Sequence, residues 1–263
     1  MKNYKIPTLT IAGSDSSGGA GVQADLKTFS AIGTYGMSVI TAITAQNTQG
    51  VFEVEELSSN IIKSQIKVVC EDISPKAIKV CIVSSPLIIK DFVDTLDQYP
   101  CEYLVVDPVM ISKSGYSLLR PEAKQNLIKY LIPKAYIVTP NIPEAEEITN
   151  MKIETVEDMK KAGQIILNLG PKYVLMKGGH LNGDCVDILI GKDLFEVFEG
   201  ERIDRKNTHG TGCTISSAIT SHLALGYDIK EAVRLSKEYI TEAIRHSFDI
   251  GKGVGPVHHF YKF

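Results

Sequence analysis

The sequence predicts one α/β domain built on a mostly parallel sheet with helices on both faces. Three observations predict it. Short apolar runs of strand length alternate with amphipathic stretches of helical period. Polar and glycine-rich clusters follow the apolar runs instead of interrupting them. The 263 residues suffice for one large core and contain no composition break, low-complexity stretch or internal repeat that would mark a second unit.

The elements follow in order. Thr8 to Ala12 reads as a buried first strand, residues 18–32 as a helix with Val22, Leu26 and Phe29 on one side, and Ser38 to Ala45 as a second buried strand. A helix near 58–72 carries Ile62, Ile66 and Val69; then come a strand Ala77 to Val83, a helix near 86–98 and the run Tyr103 to Asp107. Helix 121–132 precedes strand Ala135 to Val138, and helix 155–169 precedes Tyr173 to Met176. Two short strands near 185–190 and 194–199 form a hairpin before a helical C-terminal third. In such sheets ligands sit beyond the carboxyl ends of the strands. The polar clusters fall there, after Ala12, Ala45, Val106, Val138 and Met176.

Composition narrows the function classes. Lys+Arg at 28 nearly balances Asp+Glu at 31, which argues against a broad basic face for nucleic acid or an anionic membrane. Five scattered cysteines with no CxxC pair argue against a disulfide framework and a zinc site. The N-terminus runs into a strand without an apolar signal core, and no 18 apolar residues run together, so the expected compartment is the cytoplasm.

The segment Asn207-Thr208-His209-Gly210-Thr211-Gly212-Cys213-Thr214 is the most informative. Ile215, Ala218, Ile219 and Leu223 behind it keep helical spacing, so the free N–H groups of Gly212, Cys213 and Thr214 are expected to converge at the positive end of a helix. A phosphate suits that position, and a thiol there has a lowered pKa. The other reading is a glycine-rich turn before a core helix, with Cys213 as a small apolar filler. Gly13 to Gly21 joins the first strand to the first helix. At its end, Gly19 to Ala24 fits a loose GxGxxA pattern, but Ala45-Gln46-Asn47 stands where a ribose-binding acid belongs, so a dinucleotide site is rejected; Asp15 or Asp25 then lies near a small polar substrate, or the glycines serve only a turn. A Walker A loop is also missing, since Asp184 follows Gly183 where Lys is needed.

Asp107 and Glu144, at the ends of two successive strands, are candidate Mg²⁺ ligands, with helix capping as the alternative for these residues and Asn141. Lys177, in Met176-Lys177-Gly178-Gly179-His180, is placed to reach a phosphoryl group, or is a solvated lysine; Lys113 is a weaker candidate of that kind. The Gln46 amide matches an aminopyrimidine edge, or belongs to a plain turn. Among the histidines only His209 is placed for ligand contact, with His222 and His246 in helices and His258 and His259 near the tail.

Together these residues resemble the hydroxymethylpyrimidine/phosphomethylpyrimidine kinases of thiamine biosynthesis, within the ribokinase-like superfamily. The resemblance runs nearly end to end, through Thr10 to Gly21, Ala45-Gln46-Asn47-Thr48, Val106-Asp107-Pro108-Val109-Met110, Lys113-Ser114-Gly115, Thr139-Pro140-Asn141, Lys177 to His180, Asn207 to Thr214 and Gly253-Val254-Gly255-Pro256-Val257. It implies a ribokinase-like three-layer α/β/α sandwich and ATP- and Mg²⁺-dependent phosphorylation of 4-amino-5-hydroxymethyl-2-methylpyrimidine, then of its monophosphate. It further implies that Cys213 acts as the base, with Lys177, Gly210 and Gly212 at the moving phosphoryl group. Gln46, Gly13, Ala20, Val109, Ile82, Asp25 and His209 would bind substrate; Lys177, Asn141, Thr208, Thr211 and Gly212 would bind ATP; Asp107 and Glu144 would serve the metal. The expected partners are the small-molecule substrate and a second copy of the chain, without nucleic acid or membrane.

One departure stands out. Where the family usually has Lys-Thr-Gly-Met, this chain has Lys79-Val80-Cys81-Ile82, so Cys81 adds volume and Ile82 gives a stiffer, shorter pocket wall. A pyridoxal kinase and a non-catalytic pyrimidine-binding relative therefore stay open as alternatives.

Overall fold

The architecture, seen in a computed structural model, is described for residues 5–81, 86–110, 121–179 and 185–263. Ile82, Lys113 and His180 lie outside the described residues. Strand β1 (Pro7–Asp15) is the pivot: β2 (Tyr35–Asn47) pairs with it in parallel on one side and β4 (Ala77–Cys81) on the other. Beyond β4 the sheet continues through β5 (Tyr103–Asp107), β6 (Ile137–Val138) and β7 (Tyr173–Lys177), all parallel. The antiparallel hairpin β8 (Asp187–Gly191) and β9 (Leu194–Phe198) closes that edge, and β3 (Gly50–Glu56) folds back antiparallel on β2 at the other. The order is β3-β2-β1-β4-β5-β6-β7-β8-β9. Because the chain leaves β1 first to one side and later to the other, a crevice opens beyond its carboxyl end.

The expected mostly parallel sheet with helices on both faces is what the chain forms. On one face pack α2 (Ser59–Asp72), α3 (Pro86–Leu96), α5 (Ile142–Thr149) and α6 (Val156–Leu167); the other carries α1 (Gly21–Ile32), α7 (Thr211–Ala224) and α8 (Ile229–Arg245). Strand alternation divides the side chains between them. Ile78 and Val80 of β4 enter the first core with Leu9, Ile11 and Val106, whereas Val105, Ile137, Leu175 and Leu189 meet Ile215, Ile219 and Leu223 of α7.

Three sequence expectations change. Helix 121–132 is a short α4 (Pro121–Asn126) continued by a wide turn over Leu127–Leu131 and a tight one over Ile132–Lys134, where Pro133 cannot supply a helical N–H. β3 escaped notice because its Val51, Glu53, Val54 and Glu55 sit on an edge with little buried apolar area. α5 leaves only a weak sequence signal, being eight residues long with a proline at its start, although Asn141 caps it with Glu144 at the third helical position.

Candidate active site

The carboxyl ends of β1, β4, β5 and β7 meet the N-terminus of α7, and each brings one ionisable side chain. At the end of β1, Asp15 is buried and gathers the glycine loop around its carboxylate. Oδ1 accepts the Ser17 amide (2.8 Å) and hydroxyl (2.7 Å); Oδ2 accepts the amides of Gly19 (3.1 Å) and Ala20 (2.8 Å) and lies 2.8 Å from Nε2 of His209. Burial alone would raise this carboxyl, but the His209 ring and Ser17 outweigh it and hold it far below the usual carboxylate range. The Gln46 amide nitrogen stands 3.3 Å from the same ring nitrogen, and its backbone N–H donates to Ser16 Oγ at 2.8 Å.

The Asn207–Thr214 segment reaches this loop because the C-terminal stretch holds it. Asn207 Oδ1 accepts the Gly255 amide (2.8 Å), the His209 amide donates to Gly255 O (3.1 Å), and the Val254 amide donates to Thr48 O (2.9 Å). The Gln46-Asn47-Thr48 and Gly253 to Val257 motifs thus join on one seam. Gly210 turns the chain into α7 with φ 81°, and a Cβ there would lie 1.9 Å from the Gly19 carbonyl oxygen, so only glycine lets the two loops touch.

Within α7 the first i→i−4 bond runs from the Thr214 amide to Gly210 O (2.9 Å). Thr214 is therefore corrected out of the expected trio of free amides. Those of Gly212 and Cys213 precede that bond, at the positive end of a helix buried from Cys213 through Ala224. Gly212 is open toward the charged groups: a Cβ on it would stand 3.7 Å from both Asp107 Oδ2 and Lys177 Nζ.

Asp107 ends β5 and is buried. Its Oδ1 accepts from Lys177 Nζ (3.0 Å) and Thr139 Oγ1 (3.1 Å), and its Oδ2 from Ser216 Oγ (3.2 Å). Burial opposes ionisation, but Lys177 and then Lys79 hold the carboxyl below its usual range. Lys177 loses by burial and gains more from Asp107 and Glu144, ending pushed up to about 12. Glu144 accepts the Asn141 amide through Oε2 (2.8 Å) and returns its own amide to Asn141 Oδ1 (2.9 Å), a capping box; burial raises its carboxyl to about 7 against the pull of Lys177, with Asp107 adding to the rise. So the capping reading of Asn141 and Glu144 holds, and the same Glu144 sits in the field of Lys177 and Asp107.

Cys213 faces Cys81. The two sulfurs and a carboxylate oxygen of Asp107 all lie within 4.8 Å of one another. The Cys81 thiol donates to the Cys213 sulfur, which lowers Cys213 despite its burial, with Lys79 helping; the same bond, with burial, raises Cys81 well above its ordinary value. Ala20 and Val109 pack on this pair with Ala12 and Val22, so two of the expected pocket residues flank the thiol.

Asp25 is a correction. It is fully buried behind the crevice, where Oδ1 takes Lys79 Nζ and Ser217 Oγ and Oδ2 takes Thr10 Oγ1, each at 2.6 Å. Its helix packs inward, so no face remains for a substrate; Asp15, at the strand end, is the carboxylate that meets the loop. Gly13 lies on β1 with Ala42 3.7 Å from where its Cβ would be, and Thr208 supplies its carbonyl to Thr211, whose amide (3.5 Å) and hydroxyl (3.2 Å) donate to it. Sequence reasoning missed Thr139, Ser216 and Lys79. Ser216 had a signal, being one helical turn beyond Cys213; Lys79 had only its place two residues before Cys81 on the same strand face.

The chain is similar to known proteins over nearly its whole length. A sequence profile for a family described as phosphomethylpyrimidine kinase matches residues 15–258. The chain is 43% identical over 262 residues, 99% of its length and 96% of the relative's, to a hydroxymethylpyrimidine/phosphomethylpyrimidine kinase of Bacillus subtilis (strain 168). Among solved structures it is similar to a phosphomethylpyrimidine kinase from Clostridium difficile 630, 70% identical with a TM-score of 0.83 over 91% of this chain and 99% of that one. It is also similar to an ADP complex of a Bacillus subtilis pyridoxal kinase, 40% identical with a TM-score of 0.90 over 96% and 97%.

Proposed function

Since this chain belongs to the phosphomethylpyrimidine kinase family, we propose that it phosphorylates 4-amino-5-hydroxymethyl-2-methylpyrimidine with ATP and then phosphorylates the monophosphate, two steps toward thiamine diphosphate. The observation that carries this reading is the convergence at the start of α7. One thiol with a lowered pKa, one buried lysine and the first-turn amides of Gly212 and Cys213 come together at the carboxyl ends of β4, β5 and β7.

In-line phosphoryl transfer asks the protein mainly for positioning and charge stabilisation. Cys213 accepts the proton of the ring hydroxymethyl group as its oxygen attacks phosphorus. The first-turn amides of Gly212 and Cys213 and the ammonium of Lys177 hold the oxygens of the moving group, with Thr208, Thr211 and Asn141 along the nucleotide side. Gln46 and His209 meet the ring edge, and Ala20, Val109 and Gly13 wall it. Ile82 and Lys113 belong to the same reading.

The donor set suits Mg²⁺: Asp107 and Glu144 offer hard carboxylate oxygens, and a buried carboxyl raised to about 7 beside a second carboxylate is a place for added positive charge. A Mg²⁺ ion held by those two residues would screen the phosphate charges. The nearly balanced net charge of -3 supports the absence of a nucleic-acid partner, and no helix among the described residues is long and apolar enough to cross a membrane. A cytoplasmic homodimer completes the reading, with Ile43 and Phe52 exposed on the β2–β3 ribbon available to a second copy.

The test is a coupled ADP-release assay over hydroxymethylated heterocycles, pyridoxal included, with mass detection of products. Mono- and diphosphate of the pyrimidine are expected. Turnover of pyridoxal alone would move the assignment to the other vitamin ring, and tight binding without ADP release would make the chain a binder.

A further inference from the structure

We infer that Cys81, Cys213 and Asp107 form a binding site for a thiophilic divalent cation, with Zn²⁺ as the physiological representative of that class. Cys81 and Asp107 are register partners on adjacent parallel strands, so their side chains leave the sheet on one face at one level. Cys213 comes down on them from α7, and the three donor atoms already lie within 4.8 Å of one another. Tetrahedral zinc with Zn–S bonds of about 2.3 Å separates two sulfur ligands by roughly 3.8 Å. The three side chains need only a small contraction to hold the ion, and tetrahedral zinc then takes water as its fourth ligand.

Charge and ligand softness favour the assignment. Lys79 is paired with Asp25 and Lys177 with Asp107, so these two ion pairs cancel, and Glu144 adds negative charge on the same side. The two thiolates formed on binding add the two negative charges that the dication neutralises, while both thiol protons leave to solvent. Sulfur ligands discriminate against Mg²⁺, which takes oxygen donors, and accept Zn²⁺ or Cd²⁺. Occupation ties up Cys213, so on the kinase reading above it also stops turnover; binding itself does not depend on that reading.

The test is titration of the full-length protein with Cd²⁺, followed by the ultraviolet thiolate-to-cadmium charge-transfer band. Saturation near one equivalent is expected, with no band from Mg²⁺ and loss of that band in Cys81→Ala. Zinc X-ray absorption on the unaltered protein should give two sulfur neighbours at about 2.3 Å, which guards against a variant that fails to fold. A band that survives in Cys81→Ala, or zinc with fewer than two sulfurs, overturns the site. In ADP release, Cys81→Ala should need at least about 10-fold more zinc for half-inhibition. Two-sulfur binding with unimpaired turnover would leave the metal site standing and remove Cys213 as the base.

Discussion

Nζ of Lys79 lies 2.6 Å from Oδ1 of Asp25, and both side chains are wholly shielded from solvent. Ser217 and Thr10 complete the carboxylate, tying β1, β4, α1 and α7 at one point beneath Cys213. Removing one partner leaves an uncompensated buried charge. Lys79→Met and Asp25→Leu should each lower unfolding stability by about 3–5 kcal/mol, and the double variant by clearly less than their sum. Urea unfolding of the four proteins checks this; additive losses would mean that the pair is not coupled.

The Lys177–Asp107 pair answers to turnover as well. Lys177→Met removes the ammonium beside the first turn of α7 while leaving the pyrimidine side of the crevice intact. Turnover should fall by about 10²–10³ with little change in KM for the pyrimidine. A rise in KM with unchanged kcat would place Lys177 in ground-state binding instead.

Much of this arrangement was legible in the sequence, because parallel strands buried on both faces write themselves as apolar runs and their carboxyl ends as polar clusters. Asp107 and Lys177 follow from that logic, and Cys213 from the glycine-rich run at the start of an apolar helix. Asp15 and Asp25 could not be told apart because they stand ten residues apart on either side of one glycine-rich turn, and only the inward face of α1 separates them. The Cys81–Cys213 contact joins a strand to a helix 132 residues later and is set by the packing of α7 on β4, which no local pattern carries. The polar face of α7 was hidden for a related reason: Ser216, Ser217 and Ser221 are buried against Asp107, Asp25 and Thr34, partners that only the tertiary fold supplies.

Gly210 offers a purely steric prediction. Its φ of 81° and the Gly19 oxygen 1.9 Å from its missing Cβ mean that Gly210→Ala must push the β1 loop away from α7. Stability should drop by about 1–3 kcal/mol from backbone strain, and affinities for pyrimidine and nucleotide should weaken together, because the displaced loops carry both. Calorimetric titration of each ligand checks it; a loss confined to one would show that the loops move independently.

Asp15 sets a pH dependence whose sign can be worked out. Its folded-state pKa lies below the ordinary value, so folding favours the ionised form, through His209, Ser17 and the loop amides. That contribution is complete above the unfolded-state pKa of about 3.9 and is lost as pH falls from there toward the folded value, since the unfolded chain then binds the proton first. Stability should therefore decline with acidification below about pH 4, more steeply in the wild type than in Asp15→Asn, whose curve starts lower and runs flatter. Because the same carboxylate holds His209 beside Gln46, Asp15→Asn should also raise KM for the pyrimidine at neutral pH more than it lowers kcat. Urea midpoints across the acid range, read beside steady-state kinetics, check both; parallel stability curves would mean that the Asp15 cluster does not favour the carboxylate.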